Sequence, residues 1–399
     1  NVKGIGSWSL TGHSAEELSK KFTEMQDDSE VTAGFIWQKT TRESKKYQLR
    51  GEILSFIPVD KNVEIMLVTI TNTGRMAQTV TPTAAIPLYG RSADNIRDHR
   101  HVTSLLHRIE TTDTGVLVTP TLSFDERGHQ VNHMTYYCVG WSGNGEKPVD
   151  FYPTAEDFVG EGGNFERPYA IVKNAEGVKA GTKIEGLEAV GGLHFSEITL
   201  EPEEECSYLI FTGITEDIQE IRNLSKTYTT REKVLEELEK TKAYWQEKVN
   251  VAYHTGDSDF NQFMHWVSFQ PILRRIYGCS FLPHHDYGKG GRGWRDLWQD
   301  CLALLIMNPD GVRQMLLDNF AGVRIDGSNA TIIGSKQGEF VADRNNITRV
   351  WMDHGVWPMI TTKFYIDQTG DLELLEKEAA YFKDKQIARG TRTDTLWDE

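Results

Sequence analysis

The sequence predicts a multidomain β + α chain: an antiparallel β-sandwich over residues 1–215, a helical linker over 216–252, and helices of an incomplete toroid over 253–399. Three observations carry that expectation. Short β-rich runs alternate with turn signals from Lys3 to about Gly213, the hydrophobic period changes at Thr229, and long helical patterns separated by long loops follow His254.

In the first region the clearest strand is Val63-Glu64-Ile65-Met66-Leu67-Val68-Thr69-Ile70, which Asn72-Thr73-Gly74 ends. Similar runs lie at Gln78–Ala85, Gly115–Thr119, Met134–Trp141, Leu193–Leu200 and Ser207–Thr212. No ten-residue helical pattern lies between most of them, which argues for an antiparallel sandwich. The exception is Ser14–Met25, read as a short helix.

Thr229 and Glu232 then have the spacing of a capping box, and Val234, Leu238, Thr241, Trp245 and Val249 follow at three- and four-residue steps. Further helices are expected over Asp259–Tyr277, with a kink at Pro271, and over Trp294–Met307, Pro309–Phe320, His354–Asp367 and Asp371–Lys385. Five helices do not close a ring of helix pairs, so the region reads as part of one.

Composition narrows the chemistry. The 399 residues carry 58 acids against 43 bases, a net charge of -15, which disfavours nucleic acid, and no apolar run approaches a membrane span. Cys138, Cys206, Cys279 and Cys301 show neither metal-ligand nor disulfide-framework spacing, which fits reduced thiols in a cytoplasmic protein. The histidines, including His284 and His285, show no HxxxH or HExxH spacing, so no metal site is expected.

Two clusters could carry a reaction. In Gly288–Asp300 a glycine loop delivers Trp294, Arg295 and Asp296 to a helix start, with Asp300 one turn on. Carboxylates and a guanidinium beside indoles suit a sugar, although acids also favour a helix N-terminus for electrostatic reasons alone. The second cluster, Glu339–Pro358, holds Asp343, Arg344, Arg349, Trp351 and Asp353, the last between two tryptophans. Asp353 is the best acid candidate; burial against indole would raise its affinity for a proton, whereas the competing reading makes it an N-cap.

The segment Gly293-Trp294-Arg295-Asp296-Leu297-Trp298-Gln299-Asp300 and the triplet Trp351-Met352-Asp353 resemble the inverting phosphorylases of glycoside hydrolase family 94. The strand and turn at Val68–Asn72 are also similar to that family's sandwich, and Arg313–Gly334 and Asn345–Pro358 look most like 1,2-β-oligoglucan phosphorylases. The resemblance implies an (α/α)6 catalytic barrel after the sandwich and linker, of which 253–399 would be the N-terminal part. It implies Asp353 as general acid and Arg295, Asp296 and Trp351, with Arg349, Asp343 and Arg344, as substrate-binding residues. Inorganic phosphate would be a co-substrate, with no cofactor and no metal, converting β-glucan oligosaccharides to α-glucose 1-phosphate. The family's usual sugar-binding arginine corresponds here to Gly290, flanked by Lys289 and Arg292, and its phosphate ligands would lie beyond Glu399, so the chain is expected to be a fragment. Two other readings compete: an inverting hydrolase on the same barrel, and a noncatalytic glucan-binding protein with Trp294, Trp298, Trp351 and Trp357 as its platform.

Overall fold

The computed structural model describes residues 1–12, 27–90, 100–125, 128–277, 294–325, 327–330, 332–333, 338, 340–341, 353–383, 386–388 and 392–394. The chain divides into two compact units, Asn1–Tyr244 and Trp245–Glu399.

The first unit is built on a nine-stranded antiparallel sheet among the described residues. Its spatial order is Asp28–Gly34, Trp37–Ser44, Leu49–Phe56, Val63–Asn72, Glu205–Thr215, Thr135–Ser142, Gly115–Pro120, His107–Thr111 and Lys183–Glu185. A second sheet, Asp150–Thr154, Ala189–His194 and Thr83–Leu88, packs against one face of it. Side chains alternate between faces along a strand, and the two cores divide accordingly. Leu209 and Phe211 join one cluster, while Tyr208 and Ile210 join the other, between the sheets. Burial on both faces explains why the central strands read as continuous apolar runs.

The second face is covered by helix rather than sheet. Helix α1 (Ile218–Thr227) places Ile221 and Leu224, and helix α2 (Arg231–Lys248) places Val234 and Leu238, in one core with Phe56, Val139, Trp141 and Phe211. The start of the segment read as a linker is thus integral to the β unit. Its outer side carries the i,i+3 pairs Lys233–Glu236 and Lys242–Glu239. Thr230 is the residue that engages the Glu232 carboxylate, and its carbonyl accepts from the Val234 N–H, so α2 begins one residue later than the Thr229–Glu232 spacing implied.

The sheets approach closely at Gly191, where a Cβ would sit 2.2 Å from the Cβ of Cys138. Burial there pushes the Cys138 thiol up to about 12, so it is a packing group and not a nucleophile.

The second unit contains α3 (Ser258–Tyr277), α4 (Trp294–Met307), α5 (Val312–Phe320) and α6 (Val356–Thr369). Pro271 lies inside α3, as expected. The architecture is the predicted one, an antiparallel β-sandwich followed by helices.

Three elements differ from the sequence expectation. The run Gln78–Ala85 divides between the strands Gln78–Val80 and Thr83–Leu88, which lie in different sheets. The run Leu193–Leu200 is two strands: Ala189–His194 stays in the three-stranded sheet, while Ile198–Leu200 pairs with Gln78–Val80. Between them the Phe195 N–H donates to the Pro82 carbonyl, one position beyond the His194–Thr83 pair. Over its described residues, 371–383, the segment Asp371–Lys385 is not an α-helix. Only Leu372–Glu376 forms a 3-10 segment, after which Lys377 is extended (φ -82, ψ 133). Asp371 accepts from Arg313, from the Tyr365 hydroxyl and from the Leu374 N–H, and the Phe382 N–H bonds the Val323 carbonyl. These contacts with α5, α6 and the segment after α5 outweigh a local preference for helix. Ser14–Met25 lies outside the described residues.

Candidate functional site

The first cluster begins at the N-terminus of α4. Trp294 and Trp298 point into the core, 2 % and 0 % exposed, with their rings edge-on and 5.6 Å apart. Phe340 lies beside Trp294 and Phe320 beside Trp298. These indoles are packing residues, which corrects the expectation of a sugar-stacking platform. Asp300, one turn on, is buried as well. Of the residues between the two indoles, Arg295 is exposed, Asp296 half-buried and Leu297 buried.

The second cluster meets the first at two points. The Trp294 indole N–H donates to the His354 carbonyl at 3.0 Å, fastening the turn before α6 onto α4. One residue along each segment, Arg295 Nε lies 2.6 Å from Asp353 Oδ2. Thr361, one turn into α6, donates to the Trp298 carbonyl at 3.3 Å and extends the same contact. His354 is buried, and its Nδ1 lies 3.1 Å from Asn329 Nδ2. Burial holds its imidazole below the ordinary range, opposed by the Asp353 charge beside it.

Asp353 is not an N-cap. The cap position of α6 is Gly355, and Asp353 serves the helix start through its main-chain carbonyl, which accepts from the Val356 and Trp357 N–H groups. Its carboxylate is engaged chiefly by side chains. Trp357 Nε1 donates to Oδ2 at 3.1 Å, the same oxygen that Arg295 reaches. The Trp357 hydrogen bond, the largest influence, holds the Asp353 carboxyl below the ordinary aspartate range; desolvation comes next and opposes it, while the Arg295 hydrogen bond, a backbone hydrogen bond and the Arg295 charge add to the lowering. Burial does not dominate because the side chain remains 38 % exposed. Burial against indole therefore does not set the direction of the shift.

The Asp296 side chain has no hydrogen bond or ion pair among the described residues. Asp343, Arg344, Arg349 and Trp351 lie outside the described residues, as do Lys289, Gly290, Arg292, His284 and His285. No group of three or more metal-ligating side chains occurs among the described residues. A cavity of about 330 Å³ in the β unit, walled by Phe151, Tyr152, Glu156 and Tyr169, contains none of the predicted site residues.

Trp357, expected from the sequence only as part of an indole platform, is instead a donor to the Asp353 carboxylate. The signal was present: an indole four residues after a carboxylate, at a helix entry, can reach back to it.

Comparison with known proteins adds a family. Residues 7–231 match the supersandwich domain of glycosyl hydrolase 94, and residues 244–393 match the catalytic domain of the glycosyl hydrolase 94 superfamily. The chain is 23 % identical over 357 residues to a 3-O-β-D-glucopyranosyl-β-D-glucuronide phosphorylase of Paenibacillus borealis, covering 85 % of this chain and 41 % of that protein. It is 24 % identical over 259 residues to the cyclic β-(1,2)-glucan synthase NdvB of Rhizobium meliloti (strain 1021), covering 63 % of this chain and 8 % of that protein. It thus spans less than half the length of either relative. Among solved structures, a bacterial glucoamylase complexed with acarbose aligns with 85 % of this chain and 48 % of its own, at 11 % identity and a TM-score of 0.47.

Proposed function

The chain belongs to glycosyl hydrolase family 94, and from that premise we propose that it is the sandwich and part of the catalytic domain of an inverting glycoside phosphorylase acting on β-linked gluco-oligosaccharides. The observation that carries the reading is the meeting of Arg295 and Asp353 at 2.6 Å, which brings together the two segments that would hold and cleave the sugar.

In this mechanism Asp353 is the general acid. Its proton passes to the glycosidic oxygen as the bond from that oxygen to C1 breaks and the bonding pair leaves with the oxygen. An oxygen of inorganic phosphate forms the new bond to C1 from the opposite face, which inverts the centre and releases α-glucose 1-phosphate. A second carboxylate, needed where water is the nucleophile, is not required because phosphate is already anionic and needs positioning only. Arg295 and Trp357 favour the carboxylate form of Asp353, and in this reading the proton is taken up as the substrates bind. A phosphate dianion brought nearby disfavours a second negative charge and draws a proton onto Asp353.

Asp296 accepts hydrogen bonds from the hydroxyls of the sugar being transferred, and Arg295 donates to the same sugar. Trp351, Arg349, Asp343 and Arg344 complete the substrate contacts in this reading. Phosphate is a co-substrate, and neither cofactor nor metal takes part. The β-1,2 linkage is favoured by the similarity of Arg313–Gly334 and Asn345–Pro358 to 1,2-β-oligoglucan phosphorylases. A cytoplasmic site of action agrees with the free thiols of Cys138 and Cys206. No described helix is long and apolar enough to cross a membrane.

Burial of Trp294 and Trp298 weighs against a noncatalytic binding platform, because neither ring face can stack on a sugar. The test is to incubate the full-length protein with β-1,2-, β-1,3- and β-1,4-linked gluco-oligosaccharides, with and without phosphate. Phosphate-dependent glucose 1-phosphate, greatest with the β-1,2 series, is expected. Free glucose released equally in both conditions would identify a hydrolase.

A further inference from the structure

Resting on the assignment of Asp353 as general acid, we infer that Trp357 is a positioning residue that fixes which carboxyl oxygen carries the transferable proton. Two side-chain N–H donors, Trp357 Nε1 at 3.1 Å and Arg295 Nε at 2.6 Å, both bind Oδ2. An oxygen that accepts from two donors has its lone pairs engaged and is a poor seat for a proton, so the proton resides on Oδ1. The glycosidic oxygen must then approach Oδ1, and the plane of the carboxyl group sets the direction of that approach.

The two donors differ in kind. Arg295 is a charged group on a long side chain, 45 % exposed, and in the proposed reaction it also donates to the sugar. Trp357 is half-buried on the first turn of α6, and a two-torsion aromatic side chain loses little freedom in holding its donor in place. When a sugar draws Arg295 away, Trp357 still holds Oδ2. Among the described residues, the charged and titratable groups facing Asp353 are Arg295 on α4 and the adjacent His354; Trp357 adds a donor without adding a charge. Asp353 therefore keeps its orientation through the cycle although its charge changes.

The decisive experiment compares full-length wild type, Trp357→Phe and Asp353→Asn in phosphorolysis of a β-linked gluco-oligosaccharide and of 2,4-dinitrophenyl β-glucoside, whose leaving group needs no proton. Trp357→Phe keeps an aromatic ring and removes the donor. It should lower kcat on the oligosaccharide by roughly 3- to 30-fold, part of the 10²- to 10⁴-fold available from general acid catalysis, and spare the aryl glucoside. It should also move the alkaline limb of kcat/KM for the oligosaccharide to higher pH, because the carboxylate has lost a stabilising donor. Loss of fold would not shift the limb in that direction. Should Trp357→Phe fold poorly, Trp357 replaced by its benzothienyl isostere, sulfur standing for N–H, keeps the shape and must show the same shift. If Asp353→Asn collapses oligosaccharide turnover while the Trp357 variants leave both rate and pH limb unmoved, the positioning role is overturned and the acid assignment stands. Near-normal turnover by Asp353→Asn overturns the acid assignment itself.

Discussion

Trp294 spends its indole N–H on the main-chain carbonyl of His354, at 3.0 Å, from a position only 2 % exposed. One buried side chain thereby sets the distance between the start of α4 and the turn that carries Asp353. Arg295 and Asp353 meet because their neighbours are already fastened, and their ion pair is a consequence of that fastening more than its cause. A half-exposed pair contributes little by itself.

Trp294→Phe should therefore cost more stability than its change in volume suggests. The buried carbonyl loses its donor, a penalty of about 1–3 kcal/mol, to which an imperfectly filled site adds. Thermal denaturation of the full-length protein should show a lower Tm for the variant. An unchanged Tm would mean that the hydrogen bond is replaced or irrelevant.

Arg295→Met tests the ion pair through pH. A carboxyl held below its ordinary value stabilises the fold above the unfolded value of about 3.9 and loses that contribution as pH falls through the lower folded value. The stability difference between wild type and Arg295→Met should thus be full at neutral pH and shrink once pH drops below the ordinary aspartate range. Denaturation midpoints of both proteins across that range check this. A difference that grows on acidification would contradict the assignment.

Gly191→Ala probes the β unit. The added Cβ would meet the Cys138 Cβ at 2.2 Å, which forces the two sheets apart or distorts a strand, at about 1–3 kcal/mol. Chemical denaturation should register the loss, and Cys138→Gly in the same chain should restore part of it by removing the opposing atom. Absence of any recovery in the double variant would place the strain elsewhere.

Much of this arrangement was legible in the residues. Val63–Ile70 reads as a strand because β-branched residues run up to a strong turn signal, and Trp294–Met307 reads as a helix with the observed ends. What escaped depends on partners distant in sequence. Asp371–Lys385 has helical composition, yet Arg313, Tyr365 and Val323 hold it in another conformation. A tryptophan beside an arginine and an aspartate looks the same whether it stacks on a sugar or fills a core, and only the packing of Trp294 and Trp298 distinguishes the two. The affinity of Asp353 for a proton turns on which neighbours donate to it, and no sequence pattern orders those competing effects.

The central claim is that Asp353 supplies the proton for phosphorolysis, and Asp353→Asn addresses it directly, since the amide keeps the shape and lacks a transferable proton. In the full-length enzyme, supplied with phosphate and a β-1,2-linked gluco-oligosaccharide, the initial rate of glucose 1-phosphate release should fall by roughly 10²- to 10⁴-fold while oligosaccharide binding persists. Release at a near wild-type rate would contradict the account.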